Sequence, residues 1–136
     1  MLINITGCFL IEFLVTEPNS WVQLTIHLTE GDASGTGKPA RYRHDQLYVA
    51  VLEAARKQGL AGVTVTRAVA GFGASRRIRT TRILALSLDL PLVLTIIDRY
   101  EALDRFMPTL RRMLQGQLVT LQPIEVLSYT EVGDRK

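Results

Sequence analysis

A basic loop hinged by glycines holds the residues of this chain that are best suited to bind a ligand. Four arginines fall within the seven positions 76–82, and the Gly-Phe-Gly triplet before them lets the backbone turn sharply. The guanidinium group is a planar fork that grips a carboxylate or a phosphate through two hydrogen bonds. This pattern predicts contact with a small anion or an acidic partner. The candidate residues of the loop are Gly71, Phe72, Gly73, Ser75, Arg76, Arg77 and Arg79.

A simpler role for the arginines is to keep an exposed hairpin tip soluble, because charged side chains stop a strand edge from pairing with other chains. Phe72 could likewise pin the start of the loop to the core. Binding of nucleic acid is not predicted, because Phe72 is the only aromatic residue of the loop and a stacking platform is missing. The net charge of +3 is modest, so the local density of arginine matters more than the total.

Two strands are needed to position this loop. Before it, valine and threonine alternate over residues 63–66, and Val69 continues the valine face. After it, leucine recurs at every second position over residues 84–94, and Ile96 extends the row. A period of two is typical of a strand with one buried face. The loop is therefore predicted to join two neighbouring strands.

The other two strands of the predicted sheet come from two further segments. Residues 21–29 alternate cleanly between apolar and polar side chains, which indicates a strand. A last strand is predicted over about residues 118–127. Pro123 lies within it and cannot donate a backbone hydrogen bond, so we expect this strand at an edge of the sheet or at a bulge.

Apolar residues at helical spacing indicate two helices. The first begins near Asp45, whose carboxylate can cap it, and ends before Gly59, which can adopt the left-handed conformation that closes a helix. The second follows residues 98–101, which match a capping box, and ends near Gly116. Pro108 lies inside this helix, and because proline removes a backbone donor we expect a bend.

The order strand, helix, strand, strand, helix, strand predicts a ferredoxin-like βαββαβ arrangement, which is an α+β fold. We expect a four-stranded antiparallel sheet with two helices on one face, where they bury the leucine row. The opposite face would carry small and semi-polar side chains, which favours cover by another subunit and hence a closed symmetric oligomer. The residues assigned to that face are Thr25, His27, Thr64, Thr66, Ala85 and Ser87.

The composition narrows the classes of function. The single cysteine, Cys8, cannot form an internal disulfide, which fits a reducing compartment, and a cytoplasmic protein is predicted. The two histidines do not lie at a metal-binding spacing, so no metal site is predicted. No nucleophile can be paired with a base and no cofactor fingerprint is present, so the chain is not predicted to be an enzyme.

The chain length fits one domain, which is predicted to span residues 21–128. Residues 1–20 hold an apolar run that Glu12 interrupts and that is too short to cross a bilayer, so no transmembrane segment is predicted there. This extension is expected to be an extra strand or disordered. Residues 129–136 are predicted to be a flexible tail.

Three short motifs together resemble those of a known family. They are Gly-Leu-Ala-Gly-Val-Thr-Val at 59–65, Gly-Phe-Gly at 71–73 and Asp-Leu-Pro at 89–91. Their order and spacing are similar to those of PII-like signalling proteins, and most closely to the branch called the domain-of-unknown-function 190 family. The resemblance covers about residues 21–127.

This resemblance implies a homotrimer whose long loop, here about residues 70–82, reaches a protein partner. PII relatives bind adenine nucleotides in clefts between subunits, so an adenine nucleotide is the implied ligand, and no permanently held cofactor is implied. The residues carried over by similarity are Gly62, Val63 and Thr64 near the base of the cleft, and Gly71, Phe72 and Gly73 at its wall.

Some positions depart from the PII pattern. The lysine that follows the proline of the third motif is Leu92 here, and the phosphate loop before the last strand is reduced to residues 115–117. The arginine pair of the strand after that loop is also missing. These differences keep a second hypothesis open, which is an interaction or scaffold module that binds no nucleotide, for example one associated with a membrane transporter.

Overall fold

A computed structural model of the chain describes residues 17–28, 44–73, 76, 78–81, 90–114 and 116–131. Six strands and two helices lie within these ranges, and Gly59 and Gly116 take the left-handed conformation just beyond the two helices. In chain order the elements are β1 (Trp21–Leu28), α1 (His44–Lys57), β2 (Gly62–Arg67), β3 (Ala70–Gly71), β4 (Arg79–Thr80), β5 (Leu92–Arg99), α2 (Tyr100–Met113) and β6 (Leu118–Ile124).

Four of the strands form the main sheet, in the order β2-β5-β1-β6. Every neighbouring pair is antiparallel. This is the predicted ferredoxin-like arrangement. The short strands β3 and β4, which follow β2 and precede β5 along the chain, pair with each other in a separate two-stranded sheet. Pro123 lies in β6 at the edge of the sheet, as predicted, and pairs with a strand on one side only, where it is opposite Val22.

The helices cover one face of the sheet and form the core there. Alternate residues of β1 and β5 point into this core and are buried, which confirms the leucine row over its described part. The two described helices pack their apolar side chains against these strand residues. Neither of them is both long enough and apolar enough to cross a membrane. The core-facing residues are Val22, Leu24, Ile26, Leu28, Leu47, Val51, Ala55, Leu92, Leu94, Ile96, Leu103, Phe106 and Leu110.

The opposite face of the sheet carries a row of four threonines. Thr64, Thr95, Thr25 and Thr120 lie side by side across all four strands. The next row places His27 between Val93 and Leu118. Side chains of the two central strands on this face are half-buried in the single chain, whereas those of the edge strands are mostly exposed. Ala85 and Ser87, which were assigned to the same face, lie outside the described residues.

The capping box predicted at the start of the second helix is wrong. Arg99 precedes α2 in an extended conformation and makes no side-chain cap. Asp98 belongs to β5 instead and is buried on the core side of the sheet. Its carboxylate accepts hydrogen bonds from the backbone N–H of Ala61 at 2.8 Å and of Arg99 at 2.7 Å. Asp98 therefore joins the end of β5 to the chain just before β2.

The strand before the basic loop is also shorter than predicted. β2 ends at Arg67, one residue before the Ala68 N–H donates to the carbonyl oxygen of Pro91. Val69 is therefore 74% exposed and does not continue the core face. Pro108 sits on the exposed side of a continuous helix, where the expected bend stays a prediction.

Other expectations fall outside the described residues. These are the structure of residues 1–16, the early part of the long strand over residues 82–89, and the side chain of Asp45 as a helix cap. The domain boundaries also remain a prediction. Two residues of the predicted tail nevertheless make contacts, because Tyr129 packs against Trp21 and Glu131 pairs with Arg99.

Candidate functional site at the root of the basic loop

The basic loop is tied together where it leaves the sheet. The Ala68 N–H donates to the Pro91 carbonyl at 2.8 Å, and the Thr81 N–H donates to the Val69 carbonyl at 3.1 Å. β3 and β4 then pair beyond these bonds. The two sides of the loop are thus held by backbone hydrogen bonds for several residues, and this tied segment is called the loop root below. A rigid root can hold side chains of the loop at fixed positions relative to the sheet.

Gly71 lies close to the ring of Pro91, the residue that accepts the hydrogen bond from Ala68. A Cβ atom at this position would lie 3.1 Å from Cγ of Pro91, which is tighter than an ordinary contact. Gly71 and Pro91 belong to two separate sequence motifs, Gly-Phe-Gly and Asp-Leu-Pro. The fold therefore brings these motifs into contact, and a larger residue in place of Gly71 would require the proline ring to shift by a few tenths of an ångström.

Arg76 is presented on an aromatic ring at the root. Its φ angle of 58° lies in the left-handed region, and its N–H donates to the Gly73 carbonyl at 2.9 Å, closing a tight turn. The guanidinium carbon lies 5.8 Å from the centroid of Phe72, which is within cation–π range. Phe72 is itself 59% exposed, so it does not pin the loop into the core. Cation and ring form one surface that faces solvent.

Arg79 has a different environment from Arg76. It lies in β4 and is only 8% exposed, and it is engaged with other residues of the structure. A buried arginine needs partners, because an unpaired charge is costly to remove from water. The structure thus separates two predicted binding residues by role. Arg76 is available at the surface, whereas Arg79 is part of the framework of the root.

The predicted residues of β2 lie away from the root. Gly62 opens β2 opposite Ile97, whereas Arg67 at its other end lies opposite Leu92, next to the root. At about 3.3 Å per residue, Gly62 is about 17 Å from that end. Val63 is half-buried against the core, and Thr64 is exposed on the threonine face. Within one chain, the six carried-over residues therefore form two groups rather than a single site.

Two predicted binding residues, Ser75 and Arg77, lie outside the described residues. The hydrogen bonds from Ala68 to Pro91 and from Thr81 to Val69 could not be predicted from the sequence, because they join backbone atoms and depend on no residue type. Among the described residues, no cluster of three or more histidine, cysteine, aspartate or glutamate side chains could hold a metal ion.

The chain matches a family model and several known relatives. The family model DUF190, described as Uncharacterized ACR, matches residues 21–126. A UPF0166 protein of Aquifex aeolicus (strain VF5) is 38% identical over 99 residues, which are 73% of this chain and 87% of the relative. The UPF0166 protein MJ1524 of Methanocaldococcus jannaschii is 26% identical over 93 residues, 68% of this chain and 78% of the relative.

Among solved structures, similarity is found to CPII, a nitrogen regulatory PII-like protein from Thiomonas intermedia K12, bound to ADP, AMP and bicarbonate. The alignment covers 78% of this chain and 87% of CPII, with 16% sequence identity and a TM-score of 0.47.

Proposed function

This chain belongs to the DUF190 family, and from that premise we propose that it is a PII-like regulatory protein rather than an enzyme. In this proposal three copies assemble in the cytoplasm and bind an adenine nucleotide in the clefts between them. The loop of residues 70–82 then contacts a protein partner. The observation that carries the proposal is the tied loop root, which holds an exposed arginine on an aromatic ring beside the sheet.

The separation within one chain supports a site shared between subunits. Gly62 and Thr64 lie along β2, an edge strand, while Arg76 lies at the loop root beyond the opposite end of that strand. A second copy beside β2 would supply the other half of a cleft. The threonine face supports assembly as well, because its central side chains are only half-buried in the single chain and no described helix covers them.

The ligand class proposed for this chain is a small anion, with adenine nucleotides as the leading case. CPII is described as holding ADP, AMP and bicarbonate, so bicarbonate is a second ligand to test. This chain has Leu92 where PII proteins have a lysine, and only residues 115–117 in place of their phosphate loop. We therefore expect much of the charge on a bound phosphate to be met by Arg76 and Arg77, since guanidinium groups form charge-assisted hydrogen bonds with phosphate oxygens.

In this proposal the bound ligand regulates partner binding by changing the conformation of the loop. A ligand that contacts Arg76 favours those conformations of the loop that allow the contact, and a partner that prefers the same conformations then binds more tightly. The exposed apolar side chains of Phe72 and Ile78 in the loop, and of Val69 just before it, supply a surface that such a partner can cover.

Isothermal titration of the full chain with ATP, ADP and AMP, each with and without bicarbonate, tests this proposal. We expect saturable binding of at least one nucleotide. The R76A/R77A double variant should weaken it by roughly ten-fold or more, because a hydrogen bond to a charged group contributes about 1.5 to 3 kcal/mol. The K57A/R111A variant is the matched control, since it removes two positive charges from the exposed last turns of α1 and α2, away from the loop and from the cleft residues of β2.

Equal weakening in both double variants would indicate a general charge effect and contradict a site at the loop.

A second candidate function is a scaffold module that binds a partner without nucleotide, and the exposed Val69, Phe72 and Ile78 favour it. The two functions differ in one result. If no nucleotide binds at millimolar concentration, the nucleotide proposal fails and the scaffold function is favoured.

A further inference from the structure

Besides the site at the loop root, a pocket lies at the opposite end of the sheet. It is found where β1 begins and β5 ends, since Trp21 pairs with Arg99 there, while Leu28 and Leu92 pair at the loop end. Its volume is about 440 Å³, which suits a small molecule. The side chains that matter for its chemistry are Trp21, Asp98, Arg99, Glu101, Arg105 and Glu131.

The chain itself places a carboxylate in this pocket. Nη2 of Arg99 donates to Oε1 of Glu131 at 3.0 Å. The guanidinium of Arg99 lies 5.7 Å from the centroid of the Trp21 ring, and the Tyr129 ring meets Trp21 edge-on at 5.2 Å. Residues 129–131 therefore lie across β1 and β5 as a clip. Arg99 is held between an aromatic ring and a carboxylate, a geometry suited to carboxylate recognition.

We propose that this pocket is a binding site for a small carboxylate, and that Glu131 occupies the ligand's position on Arg99 when the ligand is absent. The Arg99 and Glu131 side chains are 44% and 62% exposed. An ion pair this exposed contributes about 0 to 1 kcal/mol, so a free carboxylate can displace Glu131 without a large cost. Displacement also releases the clip from Trp21, which couples ligand binding to the position of the C-terminal segment.

The charges of the pocket select the class of carboxylate. Without Glu131, the pocket is lined by two basic residues, Arg99 and Arg105, and two acidic ones, Asp98 and Glu101, so the formal charges balance. The Asp98 carboxylate is buried and already accepts two backbone hydrogen bonds. A ligand with one carboxylate, including a zwitterionic amino acid, adds little net charge to this arrangement. A polyanion such as a nucleoside triphosphate would be repelled by Glu101 and Asp98. The site thus differs in ligand from the proposed nucleotide cleft, and it lies at the opposite end of β2 from Arg76.

Trp21 is the only tryptophan of the chain, so its fluorescence reports directly on the clip. The test titrates the full chain with sodium acetate and with glycine, and with inorganic phosphate as a comparison, at constant ionic strength. For the wild type we expect a saturable change in Trp21 emission with acetate and glycine, and no comparable change with phosphate. The E131A variant should start near the emission of the ligand-saturated wild type.

The midpoint of the acetate titration should also be lower in E131A by up to about five-fold, the amount that corresponds to a surface ion pair. R99Q should show no saturable change. E125A is the matched control, because Glu125 is an exposed carboxylate outside the pocket, and it should behave as the wild type. Far-UV circular dichroism and the melting temperature of each variant establish that it is folded.

Three results would overturn the proposal. One is the absence of any saturable response to acetate or glycine in the folded wild type. Another is an E131A variant whose initial emission and midpoint equal those of the wild type. The third is an equal response to phosphate, which would show that Arg99 attracts any anion. None of these results bears on nucleotide binding at the loop root, so the two proposals fail independently.

Discussion

Along β1, every second side chain is buried beneath the helices, whereas Trp21, Gln23, Thr25 and His27 stay half-buried on the face that no described helix covers. The same contrast runs along β5, where Leu94 and Ile96 are buried and Val93, Thr95 and Ile97 are half-buried. Two faces built from the same strands thus have different surroundings in the single chain.

This difference separates stability from association. The covered face removes whole leucine, isoleucine and phenylalanine side chains from water, which is the largest favourable contribution to folding. The open face leaves four threonines in a row, with partly apolar neighbours, available to another molecule. We therefore expect substitutions on the covered face to change the free energy of unfolding, and substitutions on the open face to change assembly.

Neighbouring residues of β5 give the sharpest test of this separation. Leu94→Ala should lower the free energy of unfolding by about 2 to 5 kcal/mol, because it leaves a cavity in the core. Val93→Ala should lower it by about 1 kcal/mol or less in the dissociated chain, because its side chain is only half-buried there. Urea unfolding at low protein concentration measures both. Equal losses would show that the two faces do not differ in this way.

A smaller effect is expected at the end of the covered face. Asp98→Asn should cost about 1 to 3 kcal/mol, because the amide that replaces the carboxylate cannot accept both backbone hydrogen bonds through charged oxygens. Asp104→Asn is the control, since Asp104 is exposed on α2. Unfolding curves that coincide for the two variants would mean that the Asp98 bonds contribute nothing to stability.

The covered face could be predicted from the sequence because its alternation is local. The period of two in β1 and β5 assigns each side chain to a face without knowledge of the other strands. The same local reasoning failed at Asp98, where residues 98–101 match a capping box but the pairing of β5 with β1 extends the strand through Asp98. The prediction for Val69 was wrong in the same way, because β2 ends at Arg67, two residues before it.

The family was correctly predicted, because three spaced motifs carried the resemblance. The geometry of the candidate sites was not predictable in the same way. The contact of Gly71 with Pro91 and the ion pair of Arg99 with Glu131 join residues that are far apart in sequence, so no local pattern marks them. Their partners became visible only when the register of the strands was known.

The central claim is that the open face of the sheet holds copies of the chain together. Light scattering with size-exclusion chromatography on the full chain tests it most directly. We predict a mass of three times 15.2 kDa for the wild type and for the control Thr109→Lys, whose threonine lies on α2, which covers the other face of the sheet. Thr95→Lys places a charge in the middle of the threonine row and should give a folded protein of single-chain mass. A wild type of single-chain mass, or a Thr95→Lys variant that keeps the trimer mass, would contradict the claim.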